Sequence, residues 1–63
     1  MTEEQERWAE ALAVRRLHGD RADIFAAERI SELAQAGDNL GIARWKEIAH
    51  RLSKLATAES VSQ

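Results

Sequence analysis

The hydrophobic pattern is clearest in the C-terminal third of the chain. Ile42, Trp45, Ile48, Ala49, Leu52, Leu55 and Ala56 recur at three- and four-residue intervals, which places them on one side of a helix. Arg44, Lys46, Glu47, His50, Arg51 and Lys54 fill the opposite side, with Glu47 and Arg51 spaced i,i+4 for a surface ion pair. The middle of the chain repeats the arrangement, setting Phe25, Ala26, Ile30, Leu33, Ala34 and Ala36 against a strip of Arg21, Glu28, Glu32 and Gln35. The first segment is broader. Trp8, Ala9, Leu12, Ala13 and Leu17 form one face, while Ala11 and Val14 fall behind it and offer a second contact surface.

Glycine punctuates these segments. His18-Gly19-Asp20 and Ala36-Gly37-Asp38 each set a residue tolerant of positive φ directly before a carboxylate suited to capping the next helix. Thr2 and Gln5 have the spacing of a capping box, and Glu3, Glu4 and Glu6 place negative charge at the positive end of the first helix dipole. His18, beside Gly19, is positioned to reach the last carbonyls of that helix. Two turns separate three helices, at about 3–18, 21–36 and 39–57, and the polar residues 58–63 are expected to fray. The expected fold is all-α: one domain over residues 1–57, a compact three-helix bundle with short Gly-Asp turns. Its expected core holds Trp8, Leu12, Phe25, Ile30, Leu33, Trp45, Ile48 and Leu52.

The order of blocks carries a resemblance. Trp8-Ala9-Glu10-Ala11-Leu12-Ala13-Val14, His18-Gly19-Asp20, Ala27-Glu28-Arg29-Ile30, Ala36-Gly37-Asp38 and Ile42-Ala43-Arg44-Trp45-Lys46-Glu47-Ile48-Ala49 follow one another across nearly the whole chain. Together they resemble a small, uncharacterised alphaproteobacterial protein family, a domain of unknown function. The resemblance implies a bacterial source and a short stand-alone protein. It implies no activity and no functional residues.

Composition narrows the chemistry. With no cysteine in 63 residues, disulfides, thiol catalysis and thiolate metal sites are excluded. No uncharged run approaches the ~20 apolar residues of a membrane-spanning helix. The start Met1-Thr2-Glu3-Glu4 lacks the basic and apolar stretches of a signal peptide, so the cytoplasm is the expected compartment. Glu6 with Glu10, and Glu28 with Glu32, are carboxylate pairs at i,i+4, and His18, Asp20 and Asp23 lie between them. Helical metal sites add a Glu-x-x-His motif that neither His18 nor His50 supplies, so these residues read as surface charges and caps. Ser31 and Ser53 sit inside helices, with no strained elbow and no glycine-rich phosphate loop. Neither enzymatic activity, a cofactor, a metal nor a small-molecule ligand is expected.

Two functional readings remain. The first is a non-enzymatic protein–protein interaction module, a small regulatory or adaptor domain whose partner is another protein or its own copy. A small core, a two-sided first helix and opposite charge at the two ends favour it: residues 1–38 hold nine acidic and five basic side chains, and residues 39–63 two and four. On this reading acidic helix one of one chain pairs with basic helix three of another, and Val14→Glu dissociates a homodimer without unfolding it. The alternative is a small nucleic-acid-binding regulator using the basic face of the third helix. Against it stand a net charge of −2 and a spacing around Gly37 that is too short for a helix-turn-helix. The candidate interaction residues are Ala11 and Val14 on the first helix and Arg44, Lys46, Arg51 and Lys54 on the third.

Overall fold

The computed structural model describes residues 2–61. It is all-α, and no strand occurs among the described residues. Helix α1 spans Glu3–His18, a single 3₁₀ turn spans Gly19–Arg21, helix α2 spans Ala22–Ala36 and helix α3 spans Asn39–Val61.

Local chemistry accounts for most of these boundaries. Thr2 Oγ1 accepts from the Gln5 amide at 3.1 Å, and Gln5 Oε1 accepts from the Thr2 amide at 3.0 Å, completing the capping box that starts α1. Gly37 closes α2 in the left-handed conformation at φ 72°, which costs a Cβ-bearing residue far more than glycine. Its amide donates to the Ala34 carbonyl and the Asp38 amide to the Leu33 carbonyl, the paired bonds of a Schellman closure. Asp38 then caps α3, accepting from the Gly41 amide at 2.9 Å.

The first Gly-Asp junction behaves differently. Gly19 has φ 56° and ψ −126°, yet the chain resumes helical geometry at once through the 3₁₀ turn. Arg21 precedes α2 without a side-chain cap, and the expected capping residue Asp20 lies in solvent, 3.9 Å from Arg15. The path from Glu3 to Ala36 is therefore a bent helix rather than two helices parted by a loop. The chain is two helical arms, the first of them bent, and not a clear three-helix bundle. The third helix also outruns its expected end near residue 57, continuing to Val61, so most of the segment expected to fray is helical. Residues 62 and 63 of that segment lie outside the described residues.

Helix α3 organises the packing. It runs antiparallel to α2, since Leu33 lies over Gly41 near one end while Ala22 shares a groove with Leu52 near the other. It also packs along α1, whereas α1 and α2 touch each other little away from the bend. One buried cluster joins all three segments: Ala11 and Val14 from α1, Ala22 and Ala26 from α2, and Ile48 and Leu52 from α3. Phe25, Trp45, Ala49 and Leu55 pack around it, with the Phe25 and Trp45 rings edge to face at 5.7 Å.

Of the expected core, Leu33, Ile48 and Leu52 are buried, Trp8, Phe25, Ile30 and Trp45 are half-buried, and Leu12 is exposed. The discrepancy lies in how α1 is rotated. The face turned inward holds Ala11 and Val14, the residues expected on a second, outer surface, while Leu12 and Leu17 point away. Alanine at the contact lets two helix axes approach closely, and Ile48 of α3 is buried in the same cluster.

Candidate interaction surface

Arg7, Glu10, Ala11, Val14 and His18 share one stripe of α1, at i, i+3, i+4, i+7 and i+11. When Ala11 and Val14 turn inward, the charged residues beside them meet α3. Glu10 is clasped by two arginines. Its Oε2 accepts from both Nε (2.9 Å) and Nη2 of Arg44, and its Oε1 accepts from Arg7 Nη1 at 2.6 Å. Arg7 Nε also stands 3.9 Å from Glu47, which in turn lies 3.8 Å from Arg51. Arg51 donates to the Glu47 carbonyl at 3.1 Å and sits over the Trp8 ring at 5.5 Å, a cation–π contact. Five side chains thus form a chain of alternating charge, Arg44–Glu10–Arg7–Glu47–Arg51, across the α1–α3 seam.

This network changes the reading of the basic face. Arg44 and Arg51 are engaged within the chain, and the Arg51 side chain is largely buried. Lys46 and Lys54 are exposed and make no ion pair among the described residues. The attraction between acidic helix one and basic helix three, expected between two molecules, is satisfied inside one.

Burial opposes ionisation of Glu10, but the hydrogen bonds from Arg44 and Arg7, with their charges, outweigh it and hold the carboxyl below its ordinary value of 4.5. The same contact raises the Arg44 guanidinium further. A carboxylate with a depressed folded-state pKa adds stability that is fully present above its unfolded value and is lost as pH falls through the folded value. Glu10→Gln is expected to cost no more than about 1 kcal/mol at neutral pH, because the contact with Arg44 is screened by solvent. It should also weaken the loss of stability below pH ~4.5, as measured by urea unfolding across a pH series.

The opposite side of the bend exposes apolar surface. Leu17 is 80% and Ile24 44% exposed. With His18, Arg21, Phe25 and Glu28 they line a shallow recess of about 270 Å³ in the elbow between α1 and α2, to which α3 contributes no residue. The His18 ring, expected to cap the end of α1, instead stacks on Phe25 at 3.9 Å with the planes 15° apart, and both rings line the recess. On α2, Ile24 lies almost opposite the buried Ala22, Ala26 and Leu33, on the same strip as Arg21 and Glu28. That placement was legible in the periodicity, because Ile24 is the one large apolar residue on an otherwise polar face. Leu17 was hidden by its place on the main apolar face of α1.

A second groove, about 520 Å³, lies between the bend and the C-terminal half of α3, lined by Arg15, Asp20, Asp23, Ser53, Leu52 and small residues. No group of three or more histidine or acidic side chains among the described residues is arranged to hold a metal ion, and no helix of the described residues is long and apolar enough to cross a membrane.

A bent all-α chain with its charges paired across one seam and apolar residues open at its elbow defines a small helical domain. The chain belongs to a family of unknown function, DUF6961, whose model matches residues 3–60. No curated protein and no solved structure matches it.

Proposed function

We propose that this chain is a non-enzymatic protein–protein interaction module, a small regulatory or adaptor domain that docks through the elbow recess. The carrying observation is the pair Leu17 and Ile24, large exposed apolar side chains that line one recess together with the stacked His18 and Phe25 rings. Exposed aliphatic side chains are ordinary when scattered, but a contiguous group rimmed by charges is the composition of a contact surface. The block order described above supports a bacterial, alphaproteobacterial source, and the charged, cysteine-free composition accords with a cytoplasmic setting. A nucleic-acid role for Arg44, Lys46, Arg51 and Lys54 is disfavoured, because the two arginines already serve Glu10 and Glu47.

The test is capture with wild type and with Leu17→Glu, a change at an exposed position that should alter stability by no more than about 0.5 kcal/mol. A stoichiometric protein partner retained by the wild type and lost by the variant is the expected result. Retention of that partner by the variant, or salt-sensitive binding to duplex DNA that Lys46→Glu and Lys54→Glu abolish, would overturn the proposal.

A further inference from the structure

The elbow recess has a property beyond being apolar: its charges are complementary to themselves. Arg21 and Glu28 stand two helical turns apart on one strip of α2, about 10 Å along the axis. Both are exposed and neither makes an ion pair among the described residues, whereas the charges of the α1–α3 seam are almost all engaged. Ile24 and Phe25 lie midway between them, and Leu17 flanks the strip.

A two-fold axis passing between Ile24 and Phe25, perpendicular to α2, lays a second α2 antiparallel on the first. Because 24 and 25 bracket the midpoint of 21 and 28, Arg21 of each copy then faces Glu28 of the other. In a closed two-fold dimer every contact occurs twice, so one unpaired cation, an apolar centre and one unpaired anion on the strip are sufficient; Glu32, one turn further along it, is held by Arg29 at 3.4 Å within its own chain. The same operation sets Ile24 of one copy against Phe25 of the other and brings Leu17, at the end of the recess, toward the paired Glu32. A partner of uniform charge would satisfy one end of the strip and repel the other.

We infer that the occupant of the elbow recess is a second copy of this chain, docked antiparallel along α2 with Arg21 and Glu28 paired reciprocally. This rests on the reading of the recess as a docking surface and names its partner.

The arrangement makes an unusual demand on charge-reversal variants. Arg21→Glu places two carboxylates opposite each other at both ends of the interface, and Glu28→Arg places two guanidinium groups there. Each variant should therefore fail to self-associate. Mixed in equal amounts, they should form a heterodimer. At one end the carboxylate introduced at position 21 meets the guanidinium introduced at position 28 of the other chain, and at the other end the native Glu28 meets the native Arg21. Sedimentation equilibrium from about 10 to 500 μM reads this directly, with circular dichroism confirming that each variant remains helical. The expected result is a wild-type mass rising from 7.1 kDa toward twice that value, single variants fixed at 7.1 kDa, and recovery of the larger species in the mixture. Leu17→Glu, which leaves both charges in place, should also remain at 7.1 kDa.

A wild type that stays monomeric throughout, single variants that associate like the wild type, or a mixture that fails to recover would overturn the inference. Failure of the dimer and failure of the docking surface give different results. If the wild type is monomeric but Leu17→Glu still abolishes capture of a different protein, the docking surface stands and the self-association falls.

Discussion

Ile48→Ala is expected to cost about 2–5 kcal/mol and to lower the thermal midpoint by roughly 10–30 °C. Ile48 is the largest fully buried side chain, with 1% of its surface exposed, and it meets Ala11, Val14, Ala22 and Ala26 from both limbs of the bent helix. Four small neighbours cannot expand to fill the space that the lost carbons leave, so the full cavity term applies. A chain of this length has about 3–9 kcal/mol of stability to lose. Leu40→Ala is the control: Leu40 is 87% exposed on the first turn of the same helix, and its loss should change stability by about 0.5 kcal/mol or less. A thermal melt in which the two variants behave alike would show that Ile48 does not join the limbs.

Val14→Glu is expected to unfold the protein at neutral pH, at a cost of about 3–5 kcal/mol. The hydrophobic pattern taken alone assigns the opposite outcome to this change, dissociation of a dimer with the fold intact. Val14 is 8% exposed and belongs to the central cluster, so an introduced carboxylate would be buried among aliphatic groups. Leu12→Glu, two residues away on the exposed side, should leave the helical signal and the midpoint nearly unchanged. Circular dichroism of the pair distinguishes the two orientations of α1, since rotating Leu12 inward would exchange the two results.

Helix identity and most helix ends were legible in the residues alone, because each depends on groups within a few positions of one another. Thr2 and Gln5 form their box, Gly37 adopts the left-handed closure, and Asp38 caps α3 through bonds that close inside one turn. Gly19-Asp20 has the same local chemistry as Gly37-Asp38 but yields a bend, since Gly19 adopts a different ψ and α2 begins without Asp20 as its cap. Only the position of α3, packed along both limbs, decided which faces are inside. Hydrophobic amplitude alone favoured the leucines of α1, yet contact with α3 is made through Ala11 and Val14, where small side chains admit close approach and Arg7 and Glu10 beside them reach partners on α3. The same rotation converts Arg44 and Arg51 from an open basic face into members of an internal network, and leaves Leu17 beside Ile24 at the elbow. Periodicity determines which residues share a side of a helix. Which side is buried depends on the shape and charge of what it meets, and that partner lies far off in the chain, 34 positions away in the case of Glu10 and Arg44.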